Sequence, residues 1–456
     1  MKKISITLFT VISIMLLACN ANQISKGKPY HLITLDPGHF HAALVQKTMY
    51  DNVDSVVHVY AKEGSDLNLH LKRINDYNTR EDNPTRWKEE VYMGNDFFAK
   101  MIQEKKGNIV ILSGNNEKKS DYILQSLQNG LNVLADKPMA IDADGFEKIK
   151  TSFEVADKNK LLLYDIMTER FEITTILLRE LSMMPEIFGN LKEGTKDDPS
   201  VVKESVHFLY KYVSGNVLTR PDWFLDVSQQ GEGIADVMTH LVDLVQWECF
   251  PGQPIDYKKD IQVNTAKHWP TDIGLSEFTT ITHADHFPAY LSKNIVHDSV
   301  LQYYCNGEIN YQLKNIHART TVRWEYKSAE GSGDTYYALM KGTKASLIIQ
   351  QGKDEQYKPV LYIRPSASEK NYEAVLQEAF KRIEQKYPGI TLVKSGTMWK
   401  VGIPDKYKEN HEEHFARVVK NFLMYLEKGK LPEWEAPNML AKYYTTTKAL
   451  ELATKK

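Results

Sequence analysis

Residues 132 to 138 read Asn-Val-Leu-Ala-Asp-Lys-Pro, an apolar run that ends in an acid, a lysine and a proline. In a parallel sheet, side chains at the carboxyl end of a strand face the crevice in which ligands bind. A lysine fixed there, Lys137, can stabilise the negative charge that develops on a hydroxyl oxygen during its oxidation. The structural alternative is a surface lysine before a turn proline.

A second group of reactive side chains lies between Gly231 and Asp243. If a helix begins near Ile234, Asp236 and His240 are four residues apart and Asp243 follows three later, so all three share one face. An aspartate beside a histidine raises the pKa of the imidazole and orients it, which suits a general base. The alternative is an Asp–His pair on an exposed helix face.

The third stretch is the turn from Asp36 to Ala42. A dinucleotide-binding turn needs glycines, so that the backbone can approach a pyrophosphate at a helix N-terminus. Of the pattern G-x-G-x-x-G only the central Gly38 is present, and a simple turn is the alternative. His39 and His41 could be half of a metal site, but no third ligand stands near them in the sequence, so we expect no metal.

The elements that would position these residues change in character near residue 170. Before it, strands alternate with helices, which predicts a doubly wound parallel sheet. After it, strands follow one another, which predicts a mostly antiparallel or mixed sheet with helices at the end. The predicted elements are strands at 32–35, 56–61, 108–112, 132–135 and 161–164 with helices at 42–49 and 120–128, then helices at 172–183 and 234–249, strands at 277–282, 320–326, 335–340, 345–350 and 359–363, and helices at 372–385, 410–426 and 436–454.

The first residues have the pattern of an export signal. Lys2 and Lys3 precede an apolar run of about fifteen residues, which is short for a membrane span. The run ends Leu-Leu-Ala-Cys, which resembles the lipobox of bacterial lipoproteins and predicts lipidation at Cys19. The alternative is an ordinary signal peptide with Cys19 incidental. We expect an exported, lipid-anchored protein on the periplasmic side of a bacterial membrane, with the outer membrane favoured because position 20 is Asn20 rather than Asp.

Bulk composition narrows the function classes. The chain has 456 residues and a formal net charge of -2, with 42% hydrophobic and 25% charged residues. This balance is ordinary for a folded protein of two domains, and the lack of a basic surplus argues against nucleic acid as a partner. Cys249 and Cys305 carry no motif, and both a disulfide and two free thiols remain open.

The order of these motifs resembles the glucose–fructose oxidoreductase, inositol dehydrogenase and MocA family, usually written Gfo/Idh/MocA. In that family a Rossmann turn is followed by Thr-Pro-Asn-x-x-His, then Glu-Lys-Pro, then Asp-x-x-x-His. Here the second element is 114–119, the third is 130–138 and the fourth is 236–240. The departures are two missing glycines, Lys119 in place of the histidine and Asp136 in place of the glutamate. The implied domains are a signal peptide (1–18), a tether (19–29), a Rossmann dinucleotide-binding domain (30–170) and an α+β substrate and oligomerisation domain (171–456).

The resemblance also implies a cofactor and a set of roles. NAD or NADP is expected, and Lys137, Asp236 and His240 would act on the substrate. The peptide between Lys137 and Pro138 would be cis. Tyr164, Arg170 and Trp223 are weaker candidates on the substrate side. Cofactor contacts are expected from Gly38, His39, Phe40, His41, Glu63, Ser113, Asn115, Asn116, Asp136 and Lys137.

The leading hypothesis is therefore an oxidoreductase that transfers a hydride between the cofactor and a hydroxyl or keto group of a sugar, glycoside or polyol. Because no free nicotinamide pool is expected outside the cytoplasm, the cofactor should be tightly retained. One alternative is an NAD-dependent glycosidase or lyase that oxidises a sugar transiently. Another is a non-catalytic sugar-binding lipoprotein. Similar proteins use the exposed face of the C-terminal sheet as a dimer contact, so a homodimer is expected.

Overall fold

The structure is a computed structural model that describes residues 28–213, 216–297, 299–328, 332–366 and 371–455. The predicted signal peptide, the lipidation site at Cys19 and most of the tether lie outside the described residues. Within the described ranges no helix is both long enough and apolar enough to cross a bilayer. Cys249 and Cys305 are both free thiols, so the question of their pairing is answered in favour of the free form.

The N-terminal part forms a six-stranded sheet of order β3-β2-β1-β4-β5-β6, in which every pair of neighbours is parallel. Strands are added on one side of β1 as far as β3 and on its other side from β4 onward, so the strand order reverses between β1 and β4. Such a point is where folds of this kind bind ligands. This confirms the predicted doubly wound sheet. Its strands are β1 Leu32–Leu35, β2 Val56–Ala61, β3 Lys88–Met93, β4 Ile109–Leu112, β5 Asn132–Asp136 and β6 Leu163–Ile166.

The C-terminal part is built on a ten-stranded mixed sheet of order β10-β12-β13-β7-β14-β15-β16-β18-β17, with β11 paired to β12. Only β13 and β7 pair in parallel, so the predicted mostly antiparallel sheet is confirmed. A small hairpin, β8 with β9, follows β7. The strands are β7 Val201–Tyr210, β8 Tyr212–Val213, β9 Asn216–Val217, β10 Ile261–Gly274, β11 Ile295–Val296, β12 Val300–Leu313, β13 Ile316–Lys327, β14 Thr335–Lys341, β15 Ala345–Gln351, β16 Val360–Pro365, β17 Thr391–Ser395 and β18 Met398–Gly402.

Helices cover both sheets and join the two parts. The apolar face of α11, with Phe415 and Phe422, packs into the core of the parallel sheet, and α12 contacts α5, α8 and β10. The C-terminal helices therefore complete the N-terminal core. The helices are α1 His41–Leu44, α2 Ser65–Thr79, α3 Phe97–Glu104, α4 Lys119–Gln128, α5 Ala143–Asn159, α6 Ile173–Ser182, α7 Val227–Gln230, α8 Met238–Cys249, α9 Leu275–Thr282, α10 Tyr372–Lys386, α11 His411–Lys428 and α12 Glu435–Thr454.

Two predicted elements are wrong. The strand at 277–282 is the helix α9, because the Glu277 carboxylate accepts the Gly274 N–H at 2.9 Å and caps its N-terminus. The helix at 42–49 stops after one turn, at Leu44. The next three backbone carbonyls accept hydrogen bonds from side chains instead of from a continuing helix. Tyr50 Oη donates to the carbonyl of Val45, Trp87 Nε1 to that of Gln46, and Arg80 Nη2 to that of Lys47.

Candidate active site

An ion pair lies where the two parts of the fold meet. Lys137 follows β5, and its peptide bond to Pro138 is cis, as the resemblance implies. The Lys137 ammonium donates to Oδ1 of Asp236, and Oδ2 of Asp236 accepts Nε2 of Gln230 at 3.0 Å. Both charged side chains are largely buried. The structure thus brings together two of the three predicted catalytic residues as a lysine–carboxylate pair.

The predicted helix containing Asp236 begins later than expected, at Met238. The preceding segment runs against β12: the Gly233 N–H donates to the carbonyl of Tyr304 at 3.1 Å, and a Cβ at position 233 would lie 1.9 Å from the carbonyl oxygen of Cys305. A glycine is required at this close approach. Asp236 therefore precedes the helix instead of sharing a helical face with His240.

His240 is consequently a different kind of group from the one predicted. It lines the cavity described below, and its Nδ1 is buried with no hydrogen-bond partner. Burial, followed by the charge of Lys137, lowers the pKa of His240 to about 3. The expectation that Asp236 raises this pKa is wrong, because Asp236 bonds Lys137. The imidazole is neutral near neutral pH and is a weak base.

Asp243, the third acid of the predicted face, belongs to a buried charge network. Arg170 donates to both of its carboxylate oxygens at 2.7 Å and to Glu435 at 3.0 and 3.1 Å. Lys442, which is fully buried, lies 2.9 Å from Asp243 and 2.6 Å from Asp165 on β6. This network joins β6, α8 and α12, and it occupies the guanidinium of Arg170, one of the weaker substrate-side candidates.

Two other predicted residues also lie away from the ion pair. Tyr164 is buried beneath α11, where its ring stacks on Phe422 at 6.0 Å and its hydroxyl donates to Glu435 at 3.4 Å. Glu63 is exposed in the loop after β2. The core encloses the Tyr164 ring, so this weaker substrate-side candidate does not line the cavity described below.

Trp223 crosses from the C-terminal part and covers the predicted pyrophosphate turn. Its Nε1 donates to Oδ2 of Asp66 at 2.8 Å. A Cβ built on Gly38 would lie 3.0 Å from this carboxylate oxygen and 3.0 Å from Cζ2 of Trp223. The space in front of Gly38 is therefore filled by an aromatic ring and an acid. Burial and the nearby Asp66 raise the pKa of Asp36, at the start of the turn, to about 6.

The loop after β4 is held by the segment that follows Trp223. Asn115 Nδ2 donates to Gln229 Oε1 at 2.7 Å, and Asn116 Nδ2 donates to the carbonyl of Gln230 at 2.7 Å. Oδ1 of Asn116 is buried and has no partner. Both asparagines lie at the carboxyl edge of the sheet, as predicted, and one of them offers an unused acceptor there.

His39, His41 and Asp136 form a compact cluster beside the ion pair. Nδ1 of His41 lies 2.9 Å from Oδ2 of Asp136, and Nδ1 of His39 lies 3.6 Å from the same oxygen. Ser113 Oγ also donates to this oxygen at 2.9 Å. No third ligand stands near the two histidines along the chain, but the fold places Asp136, at the end of β5, beside them. Lys119, at the position of the family histidine, donates to the Asp136 carbonyl at 3.1 Å, and burial lowers its pKa to about 8.

A cavity of about 1250 Å³ opens above these groups. Its floor holds the Lys137–Asp236 pair, His240, and the run His39-Phe40-His41. Its walls come from β7, β13, β14 and the start of α11, so the C-terminal sheet closes it. A volume of this size accepts a ligand larger than a monosaccharide.

The far wall contains charged groups that sequence reasoning missed. Asp334 lies 3.2 Å from Nδ1 of His207 and 2.9 Å from Nζ of Lys211. Arg220 is buried with its guanidinium 4.4 Å from the ring centre of Phe224 and 5.2 Å from that of Trp324, and burial lowers its pKa to about 10. These residues lie on strands and loops without a local motif, and only the pairing of distant strands brings them together.

The parallel sheet, with reactive side chains at its carboxyl edge and a second sheet closing the cavity, defines a two-domain protein of the nucleotide-dependent oxidoreductase type. Comparisons with known proteins agree. Residues 38–164 match the family model "Oxidoreductase family, NAD-binding Rossmann fold", and residues 177–454 match "Putative oxidoreductase C terminal domain". The chain therefore belongs to the Gfo/Idh/MocA oxidoreductase family, as its motifs predict.

Solved structures show the same architecture. A crystal structure of a "putative oxidoreductase" from Parabacteroides merdae is 51% identical, with a TM-score of 0.92 over 94% of this chain and 98% of that one. A 3-ketoreductase from Actinomadura kijaniata, crystallised with NADP and TDP-benzene, is 11% identical, with a TM-score of 0.56 over 93% and 98% of the chains. GenD2 from gentamicin A biosynthesis, in complex with NAD, is 12% identical, with a TM-score of 0.57 over 94% and 95%. At these low identities the last two show the fold alone. No curated protein matches the chain.

Proposed function

We propose that the protein is an exported NAD(P)-dependent oxidoreductase that acts on a hydroxyl or keto group of a sugar, glycoside or polyol. The observation that carries the proposal is the Lys137–Asp236 ion pair at the floor of the large cavity, at the carboxyl edge of the parallel sheet. A buried ammonium at this position is placed to stabilise an alkoxide.

The residues present fit the nicotinamide end of a dinucleotide. The unpartnered Oδ1 of Asn116 can accept a hydrogen bond, and Asp136 and Lys137 stand beside it at the strand end. At the pyrophosphate end, Trp223 and Asp66 cover Gly38, so these two side chains must separate before a phosphate can approach. When bound, the nicotinamide supplies a hydride acceptor or donor.

The chain's own residues then have distinct tasks. Lys137, held by Asp236, binds the reacting oxygen and stabilises its negative charge. During oxidation the hydroxyl proton passes to the Asp236 carboxylate, while Lys137 remains an ammonium and keeps the positive charge that stabilises the alkoxide. His240 instead binds a substrate hydroxyl as a neutral hydrogen-bonding group.

The cavity chemistry supports a polyhydroxylated substrate. Aromatic rings of Phe224 and Trp324 stand near the charged side chains of Arg220, Lys211 and Asp334. Rings can pack on the apolar face of a sugar, while charged and polar groups bind its hydroxyls. Cavities of this composition are typical of sites that orient a ligand through a few polar contacts.

Mass spectrometry of small molecules released from the purified, denatured protein tests cofactor identity and retention together. We expect NAD or NADP at close to one equivalent. Turnover on a panel of sugars and glycosides, followed by nicotinamide absorbance, should be lost in Lys137→Met. Lys72→Met, an exposed lysine on α2, is the matched control. The proposal of an oxidoreductase would be refuted if the purified protein carried no nucleotide, bound neither NAD(H) nor NADP(H), and converted none of the sugars or glycosides.

A second candidate function is a sugar-binding protein that no longer uses the nucleotide. The covered Gly38 favours it. In that case sugar binding, measured by calorimetry, would be present without any nucleotide and without turnover, and Lys137→Met would change only affinity.

The location and assembly are proposals of their own. Lipidation at Cys19 would be shown by incorporation of a labelled fatty acid that Cys19→Ala abolishes. On the face of the C-terminal sheet away from its main core, a small buried cluster of Val202, Leu339, Ile348 and Tyr362 is bordered by the partly exposed Tyr337, Val360 and Met398. We propose that this face forms a homodimer contact, and a monomeric mass by light scattering would refute it.

A further inference from the structure

The geometry points to a binding site for one divalent transition-metal ion, of the Zn²⁺ type, formed by His39, His41 and Asp136. This site does not include the Lys137–Asp236 pair, but it shares Asp136 with the proposed nicotinamide contacts, and its test needs neither nucleotide nor turnover. Two imidazoles and one carboxylate are a ligand set typical of Zn²⁺, Co²⁺ and Fe²⁺, whereas Mg²⁺ and Ca²⁺ prefer oxygen ligands.

The spacing of the three side chains fits a single ion. Each offers one ligand atom, and the three atoms all lie within 4.8 Å of one another. With metal–ligand bonds of about 2.1 Å, two ligands of a tetrahedral ion lie about 3.4 Å apart. The distances of 2.9 Å from His41 Nδ1 to Asp136 Oδ2 and 3.6 Å from His39 Nδ1 to the same oxygen bracket this value.

The chain holds the ligands from three different elements. His39 lies in the turn after β1, His41 is the first residue of α1, and Asp136 ends β5. Ser113 Oγ donates to the Asp136 carboxylate at 2.9 Å, which fixes its orientation. Such hydrogen bonds to ligands are a regular feature of metal sites, where they orient the ligand and raise its affinity.

A bound ion would take the place of two hydrogen bonds within the cluster. Nδ1 of His41 lies 2.9 Å from Oδ2 of Asp136, so a proton links the two side chains, and metal binding releases it. Nδ1 of His39 accepts the His41 backbone N–H at 3.4 Å, a long hydrogen bond that a metal at this nitrogen would displace.

The site opens to the cavity. His39 and His41 both line it, so an ion enters from that side and keeps a coordination position for water or for an oxygen of the cavity ligand. A site with three protein ligands and an open position is the arrangement of a metal that binds ligands, whereas a purely structural zinc has four protein ligands.

The test is a titration of the purified, chelator-treated protein with Co²⁺, followed by its visible d–d absorption, and with Zn²⁺, followed by calorimetry. We expect one equivalent of metal and an intense Co²⁺ band typical of low coordination number. His39→Ala, His41→Ala and Asp136→Asn should each weaken Zn²⁺ binding at least about tenfold. His207→Ala, on the far wall of the same cavity, is the matched control and should bind as the wild type does.

Circular dichroism and thermal melting check that each variant is folded. His39 lies in a turn and its side chain is partly exposed, so His39→Ala keeps the test valid if the two more buried variants unfold. The inference is overturned if the wild-type protein binds no Zn²⁺, or if folded His39→Ala binds it as tightly as the wild type. Neither result depends on nucleotide binding or turnover.

Discussion

Removal of one hydrogen bond over the nucleotide turn should tighten nucleotide binding. Trp223 Nε1 donates to Asp66 Oδ2 at 2.8 Å, and both side chains lie 3.0 Å from the position that a Cβ on Gly38 would take, on the side from which a pyrophosphate would approach this turn. Binding must therefore break this contact. Trp223→Phe deletes the donor and the part of the ring nearest Gly38. In this variant the nucleotide can bind without breaking the hydrogen bond between residue 223 and Asp66.

The magnitude follows from the type of bond. A hydrogen bond to a charged group contributes about 1.5 to 3 kcal/mol when it is buried. Because Asp66 is only partly buried, solvent reduces this to about 1 kcal/mol. That free energy corresponds to an approximately fivefold decrease in the dissociation constant for NADH.

Fluorescence titration with NADH measures the dissociation constant in wild-type protein, Trp223→Phe and a matched control, Trp87→Phe. Trp87 is a buried tryptophan of the N-terminal domain whose Nε1 also donates a hydrogen bond, to the carbonyl of Gln46. Asp66→Asn keeps an acceptor for Trp223 but removes a negative charge, so its affinity should also rise. An unchanged or weaker affinity in Trp223→Phe would refute the prediction that the Trp223–Asp66 hydrogen bond opposes nucleotide binding. An equal gain in Trp87→Phe would show that loss of any buried tryptophan hydrogen bond raises the affinity.

Three further predictions concern charges. Nucleotide affinity should rise as the pH falls through about 6, because Asp36, whose pKa burial raises to about 6, then loses its negative charge beside the turn, and Asp36→Asn should flatten that dependence. Lys442→Met removes a cationic partner of the buried Asp243 carboxylate, so it should lower the free energy of unfolding by about 3 to 5 kcal/mol. Thermal melting should show this loss as a lower midpoint, and an unchanged midpoint would contradict the prediction. Burial raises the pKa of Glu89 from 4.5 to about 7, so its folded state binds a proton more tightly and stability is lost as the pH rises between those values. Glu89→Gln should therefore be more stable than the wild type by about 1 to 2 kcal/mol at about pH 8 but not at about pH 4, whereas Glu90→Gln, a mostly exposed neighbour, should show no such difference.

The positions that sequence reasoning placed correctly are those fixed by local strand geometry. Lys137 follows a short, mostly buried strand, and a parallel sheet puts such strand ends at one edge. Asn116 and Gly38 follow neighbouring strands for the same reason. Elements with strong periodicity, such as α10 and α11, also have nearly the predicted bounds.

The errors arise where contacts across the chain override local pattern. Glu277 and the residues after it are rich in β-branched side chains, which favour a strand, but the cap at Gly274 and burial of Phe278 and Ile281 produce a helix. The long strand β10, Ile261–Gly274, was not predicted because few of its side chains are buried, so apolar and polar residues do not alternate along it. The cationic partners of Asp236 and Asp243 lie 73 to 199 residues away, and spacing along one helix could not reveal them.

The end of β5 explains why one short segment serves two groups of side chains. Consecutive residues at a strand end point to opposite sides, so Asp136 turns toward His39 and His41 while Lys137 reaches across to Asp236 in the other domain. An aspartate is shorter than the family's glutamate, and here its carboxylate is bonded within the first domain by His41 and Ser113. The aspartate at position 136 and the two histidines in the turn therefore form one hydrogen-bonded cluster. Both departures from the family pattern, at position 136 and in the turn, contribute side chains to it.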